Sequence, residues 1–160
     1  MNPELDLDLD LELNRIIRAP RSAVWRAWTN AEQLQEWFIP DPTVLRVDRL
    51  DARPGGGLVT SFSEDGTAFQ PHIDAVFLVV EQNARLVWTN AIDSEWRPQH
   101  PQPVALTAEI SLLEHPEGTD YRVVVRHGNP ADRERHAELG FFEGWGSVTE
   151  QLAALVEQQA

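Results

Sequence analysis

Residues 139–156 read LGFFEGWGSVTEQLAALV, a segment with helical hydrophobic spacing that nevertheless contains three glycines. Each glycine inside a helix costs roughly 1 kcal/mol relative to alanine, so packing against another element has to compensate. The spacing predicts one long helix from Pro130 to about Gln158, with Gly146 allowing close approach at one margin. About half of its circumference is apolar, as in a helix cradled by a curved sheet, and the apolar face contains Phe142, Trp145, Thr149, Leu152 and Val156.

The large rings at the start of this helix have two interpretations. They can fill a core, or they can line one mouth of an internal cavity. Aromatic residues at helical spacing are more often core residues, so the pattern alone favours the core.

The N-terminal segment alternates leucine with acidic residues from Leu5 to Leu13, which is the period of a half-buried antiparallel strand. The alternation breaks where Ile16 and Ile17 are neighbours, and we expect a bulge or a bend there. An unpaired strand edge can recruit a second copy, so a homodimer is one possible assembly. Residues 1–4 are expected to be frayed.

The middle of the chain changes period twice. After the first strand, Pro20 suits a first helical turn, and Asn30 is placed to cap a second short helix. From Thr43 to Gly128 the pattern is of strands and tight turns, including a hairpin at Asp65-Gly66. This order predicts one α+β domain over residues 5–158, with an antiparallel sheet of about seven strands.

Composition restricts the possible partners. The chain has 160 residues and no cysteine, so disulfides and thiolate metal sites are absent. Its net charge of −13 repels nucleic acid and anionic membranes. The acidic N-terminus does not resemble a secretory signal, and we expect a soluble cytoplasmic protein. We predict no metal and no cofactor, because no motif for either is present.

Three polar residues are candidates for a site. Strand alternation places His127 on the concave side of the sheet, where it is either a hydrogen-bonded core residue or a site residue, and His72 is a possible partner across the cavity. The predicted last helix places Glu138 on its apolar face. It is either a solvated first-turn carboxylate or a buried polar anchor or general base.

Aromatic residues supply the other candidates. Six tryptophans in 160 residues exceed what a core needs and suit a flat, apolar ligand. The predicted ligand-binding set adds Phe142 and Trp145 to strand and loop residues, namely Trp37, Phe62, Phe69, Trp88 and Trp96. No catalytic residue is predicted, because the sequence lacks nucleophile-elbow, phosphate-loop and zinc-protease motifs.

Four segments together resemble a known superfamily. They are RIIRAPRSAVWRAWTNAEQLQEWF (15–38), LDARPGGGLVT (50–60), ARLVWTN (84–90) and the closing segment 139–156, which contains GxxEGWxxxxxxL. The chain resembles the SRPBCC superfamily, also called START-like, helix-grip or birch-pollen-allergen-like. The branch it resembles is that of activator of heat-shock-protein-90 ATPase homologue-like proteins, often labelled polyketide cyclase.

This resemblance implies a helix-grip fold, in which a hydrophobic cavity lies between a seven-stranded sheet and the C-terminal helix. Three functions are then open. The first is binding of a small aromatic or lipid-like molecule, and the second is a cyclase or dehydratase reaction in the same cavity. The third is interaction with a chaperone, although the resemblance extends only to the C-terminal domain of the full-length eukaryotic activators.

Overall fold

The computed structural model describes residues 4–159 and confirms an α+β helix-grip fold. Seven antiparallel strands form one curved sheet in the order β1-β7-β6-β5-β4-β3-β2. The strands are β1 (Asp10–Ile17), β2 (Val44–Leu50), β3 (Gly57–Ser63), β4 (Gln70–Glu81), β5 (Arg85–Thr89), β6 (Thr107–His115) and β7 (Gly118–Arg126). The helices are α1 (Arg21–Thr29), α2 (Ala31–Leu34), α3 (Pro130–Glu138) and α4 (Phe141–Gln159).

Helix α4 lies across the concave face of the sheet. Its buried residues Val148, Leu152 and Val156 join the main hydrophobic core. An ion pair fixes it to β1, because Arg15 donates to both carboxylate oxygens of Glu150 at 2.6 and 3.0 Å. These hydrogen bonds lower the pKa of Glu150.

The two short helices after β1 are confirmed. The side chain of Asn30 accepts a hydrogen bond from the Gln33 amide at 3.0 Å, so it caps α2 as predicted. Three rings from this region pack edge to face, with centroids 4.9 to 5.3 Å apart: Trp28, Trp37 and Phe38. They close one end of the concave space.

The prediction of one long C-terminal helix is wrong. The chain breaks between α3 and α4 at Gly140, whose φ of +97° suits glycine. Helix α3 therefore turns back and places the His136 ring 5.1 Å from that of Phe141. This contact covers Phe141, which is 2% exposed, whereas Phe142 is 51% exposed. The predicted inward orientation of Phe142 is thus wrong.

The N-terminal strand is shorter than predicted. Strand β1 begins at Asp10, and residues 7–9 form a turn in which the Asp10 amide donates to the Asp6 carbonyl at 2.8 Å. The reason is the length of the neighbouring strand, since β7 ends at Arg126, the partner of Asp10. Residues 1–3 lie outside the described residues, so the expectation of fraying there is not addressed.

Of the expected bulge or bend at Ile16 and Ile17, the bulge is wrong, and the chain bends at the next two residues, Arg18 and Ala19. The pairing of β1 with β7 runs without a shift to Ile17 and Thr119. Ile17 is fully buried, and Ile16 simply lies on the outer side. The register shifts occur in the other half of the sheet, between β2 and β3, β3 and β4, and β4 and β5.

Among residues 4–159, no helix is both long and apolar enough to cross a membrane.

Candidate functional site

A cavity of about 270 Å³ lies between the sheet and α4. Its apolar walls come from α4, from β4 and β5, from the segment after α2, and from the loop between β5 and β6. The lining residues are Phe38, Ile39, Pro40, His72, Ile73, Trp88, Asn90, Gln102, Pro103, Val104, Leu106, His136, Gly144, Trp145 and Val148. Of these described residues, none is Arg, Asp or Glu, so the wall carries no fixed charge at neutral pH unless a histidine is protonated.

Two stacked indole rings form part of the cavity wall. Trp88 on β5 and Trp145 on α4 are nearly parallel, with an interplanar angle of 14° and centroids 6.4 Å apart. The Trp88 ring is 2% exposed, and its Nε1 is buried without a hydrogen-bond partner among the described residues. An unpaired buried N–H costs about 1–3 kcal/mol, so this donor requires an explanation.

The glycines of α4 differ in their relation to the cavity. A Cβ built on Gly144 would meet nothing within 4 Å, and Gly144 lines the cavity. A Cβ on Gly146 would also meet nothing within 4 Å, so the predicted close approach at Gly146 is wrong. The missing side chain at Gly144 therefore leaves open space beside Trp145.

His72 lies at a bulge of β4, because the β3–β4 pairing passes from Ile73 to Pro71 without it. Its Nδ1 shares a hydrogen bond of 2.8 Å with Thr60 Oγ1. The rings of Phe38 and Phe62 each lie 6.1 Å from it, edge to face. Burial among these groups lowers the pKa of His72 to about 4, so the ring is neutral near pH 7.

His127 is paired with His136, and not with His72 as the sequence suggested. Its Nδ1 lies 2.8 Å from the Leu9 carbonyl, and its Nε2 lies 2.8 Å from Nδ1 of His136. His127 is buried behind His136, and only His136 lines the cavity. Burial, and then the neighbouring His127, lower the pKa of His136 to about 4.

Sequence reasoning missed His136. Its role depends on the turn at Gly140, which brings α3 back beside His127 and Phe141. The cap of α3, where the Asn129 side chain accepts from the Asp132 amide, marks only where the helix begins. The available signal for its end was Gly140, because glycine commonly follows the last residue of a helix.

Three of the predicted site residues line the cavity, namely His72, Trp88 and Trp145. Phe62 contacts His72 but is not part of the wall. Trp37 belongs to the packed core, where its Nε1 donates to the Ala27 carbonyl at 3.0 Å. A ligand role for Trp37 would therefore require it to leave this packing.

The remaining predicted residues lie elsewhere. Phe69 packs beneath the Arg46 guanidinium, 4.3 Å from its ring centre. Trp96 is 68% exposed and donates to the Gly55 carbonyl at 2.7 Å. Glu138 is exposed at the end of α3. None of these side chains, nor that of Phe142, is among the residues that line the cavity.

Other hollows are less suited to an apolar ligand. A cleft of about 460 Å³ adjoins the cavity and shares His72, Ile73, Asn90 and Gln102 with it, so the two spaces meet there. A separate hollow of about 420 Å³ beside the β6–β7 turn contains Arg21 and Glu114 and no aromatic ring but His115. Within residues 4–159, no three His, Asp or Glu side chains are grouped to hold a metal ion.

A curved seven-stranded antiparallel sheet that holds a long C-terminal helix against its concave face defines the helix-grip class, the SRPBCC superfamily. Within that class, the profile of the family described as "Activator of Hsp90 ATPase homolog 1-like protein" matches residues 18–157. The chain therefore belongs to this family.

Solved structures agree with this assignment. A protein of Nitrosomonas europaea is 37% identical, with 97% of this chain and 98% of that chain covered and a TM-score of 0.86. A protein of Chromobacterium violaceum is 26% identical, with 94% and 99% covered and a TM-score of 0.74. An AHSA1-like protein of Aeromonas hydrophila, 18% identical, shares the fold, with 94% of each chain covered and a TM-score of 0.63. The search of curated proteins gave no significant match.

Proposed function

We propose that the protein binds a small, mostly apolar molecule in the cavity between the sheet and α4. The observation that carries this proposal is an uncharged wall in which two indole rings face each other beside open space at Gly144. Binding sites for small molecules are typically concave, apolar and supplied with a few polar groups. The superfamily to which the fold belongs includes proteins that bind hydrophobic ligands.

The size of the cavity limits the affinity. A ligand that buries about 200–300 Å² of apolar surface gains roughly 5–8 kcal/mol at about 25 cal/mol/Å². Loss of translational and rotational freedom offsets a large part of this gain. We therefore expect dissociation constants in the micromolar to millimolar range for simple aromatic molecules of one or two rings.

The glycines of α4 provide a matched test. Gly144→Leu directs a side chain into the cavity, whereas Gly146→Leu adds the same side chain to the same helix outside the cavity wall. Binding of naphthalene would be measured by equilibrium dialysis and by quenching of tryptophan fluorescence. We expect Gly144→Leu to abolish binding and Gly146→Leu to leave it unchanged.

Two results would contradict the proposal. One is the absence of saturable binding by any aromatic or aliphatic ligand in a panel of this size. The other is equal binding by the two glycine variants, which would place the ligand away from the cavity.

A second candidate function is chaperone interaction, which the description of the family invites. The feature that favours it is exposed apolar surface near the α3–α4 corner, where Leu139 is 58% exposed and Phe142 is 51% exposed. Such residues are typical of protein contacts when they form a patch. The test is whether the protein stimulates the ATPase of a heat-shock-protein-90 chaperone, and whether Leu139→Ser with Phe142→Ser removes the effect. No stimulation by the wild-type protein would refute this candidate.

A further inference from the structure

His127 and His136 form a hydrogen-bonded chain in which the donor of each bond can be assigned. The Leu9 carbonyl can only accept, so Nδ1 of His127 carries the proton of their 2.8 Å hydrogen bond. His127 is buried, and among the described residues neither of its ring nitrogens contacts a carboxylate. In a neutral imidazole whose proton is on Nδ1, Nε2 carries only a lone pair, and this tautomer of His127 therefore accepts at Nε2.

This order determines the state of His136. Because His127 Nε2 accepts, His136 Nδ1 donates across the 2.8 Å contact between them. A neutral His136 then has no proton on Nε2, which is a bare hydrogen-bond acceptor. Within residues 4–159 this atom has no hydrogen-bond partner, and the His136 ring forms part of the cavity wall. The Leu9 carbonyl thus fixes an acceptor at the cavity through two imidazole rings.

A second polar group without a partner among the described residues belongs to Trp88, which lines the same cavity. Trp88 Nε1 is a buried donor without a partner in the described part of the chain. The row of rings from His136 through Phe141 and Trp145 to Trp88 has successive centroids 5.1, 5.8 and 6.4 Å apart. The described residues that line the apolar cavity therefore include a bare acceptor in His136 and a buried donor without a partner in Trp88.

We propose that the cavity selects a neutral aromatic molecule that carries a hydroxyl group, which donates its proton to Nε2 of His136 while a ligand oxygen accepts from Trp88 Nε1–H. This inference rests on the proposed function, because it specifies the ligand class for the same cavity. An anion such as a fatty acid or an aryl carboxylate is disfavoured. Its oxygens would face the lone pair of His136, and no arginine in the described wall would neutralise it.

The test compares three probes of nearly the same shape near neutral pH, namely naphthalene, 2-naphthol and 2-naphthoate, by equilibrium dialysis with the full chain. One satisfied hydrogen bond contributes roughly 3- to 10-fold in affinity. We expect 2-naphthol to bind more tightly than naphthalene by about this factor. We expect 2-naphthoate to bind more weakly than 2-naphthol.

Variants assign the preference to the two groups. His136→Phe keeps a ring against Phe141 but removes the acceptor, so the ratio of 2-naphthol affinity to naphthalene affinity falls to about one. Trp88→Phe removes the donor and lowers the same ratio of affinities, which is the relevant readout because the Trp88 ring itself lines the cavity. His115→Phe, the same exchange far from the cavity, changes neither affinity. A cooperative thermal unfolding transition shows that each variant is folded.

The outcomes separate the two proposals. Equal binding of naphthalene and 2-naphthol by the wild-type protein would overturn the ligand class and leave a generic apolar cavity. Tighter binding of 2-naphthoate would also overturn it, as would a hydroxyl preference that survives in both variants. Binding of none of the three probes would overturn the proposed function itself, and this inference with it.

Discussion

Both ends of the concave space contain buried tryptophans, but the hydrogen bonding of their indole N–H groups differs. Around α1 and α2, the indole N–H of Trp28 donates to Tyr121 Oη and that of Trp37 donates to the Ala27 carbonyl, both at 3.0 Å. Around α4, the indole N–H of Trp88 is equally buried but has no partner in the described chain. The first end is filled by rings packed edge to face, and the second retains a cavity of about 270 Å³.

This difference shows how to separate core aromatics from site aromatics. Burial does not distinguish them, because Trp28 and Trp88 are 1% and 2% exposed. Hydrogen-bond satisfaction does, because stable cores leave few polar atoms unpaired. The polar atom without a partner indicates which half of the fold is available to a ligand.

The largest expected effect is the loss of a packed ring. Trp28→Ala removes a fully buried indole and the donor of the bond to Tyr121, and should lower the free energy of unfolding by about 3–5 kcal/mol. Trp145→Ala should cost less than half as much, because one side of that ring faces the cavity. Chemical denaturation measures both. Equal losses would mean that the two ends are packed alike.

The next effect depends on pH and concerns His72. Its pKa in the folded state is about 4, below the ordinary value of about 6.5, so unfolding takes up a proton below pH 6.5. Stability is therefore full above pH 6.5 and falls as the pH drops towards 4, by at most about 1.4 kcal/mol per pH unit and about 1–3 kcal/mol in all.

Denaturation midpoints at a series of pH values for wild-type protein and His72→Gln test this prediction. The variant should lose part of the slope between pH 6.5 and 4, where His136, whose pKa is also lowered, supplies the remainder. Glu150 acts in a separate window, because its lowered pKa stabilises the fold above the ordinary carboxyl pKa and this contribution is lost as the pH falls below that value. An unchanged slope in His72→Gln would show that this ring is accessible to protons in the folded state.

A smaller effect compares hydrogen bonds at the two ends. Tyr121→Phe removes the acceptor of Trp28 Nε1 and leaves a buried donor unpaired, which should cost about 1–3 kcal/mol. Trp88→Phe removes a donor that is already unpaired, so its cost is limited to the smaller ring volume. Equilibrium unfolding of both variants, with Trp96→Phe as an exposed control, gives the comparison. A greater loss in Trp88→Phe would indicate that Nε1 is satisfied in solution.

The sequence predicted the elements that depend on local chemistry. The alternating strands, the Asn30 cap and the wide apolar face of the last helix are all local patterns, and together they were sufficient for the fold class. Of the predicted ligand-binding residues, His72, Trp88 and Trp145 line the cavity, and their role in binding stays a prediction. Trp88 and Trp145 lie on a strand and a helix whose facing follows from period, whereas His72 lies at a bulge of β4.

The errors occurred where a neighbouring element decides the outcome. The start of β1 depends on where β7 ends, and alternation of leucine with acid continues past that point. Two errors have one cause, the turn at Gly140. Phe142 was predicted to face inward where Phe141 does, and His136 was not predicted to line the cavity. A glycine within a helical pattern is compatible with both a break and a tolerated defect, so the sequence did not decide between them.

The smallest expected effect concerns single methyl groups on α4, and it separates stability from binding. Gly144→Ala and Gly146→Ala should each raise the free energy of unfolding by about 0.5–1 kcal/mol, because alanine is a better helix former and its Cβ meets nothing within 4 Å. Gly140→Ala should instead destabilise the protein, because the φ of +97° strains any side chain.

Naphthalene binding measured on the same proteins separates the two glycine positions. The methyl group of Gly144→Ala enters the cavity and should weaken binding, whereas Gly146→Ala should gain stability at unchanged affinity. Parallel changes in affinity at the two positions would show that the open space beside Gly144 is not where the ligand lies.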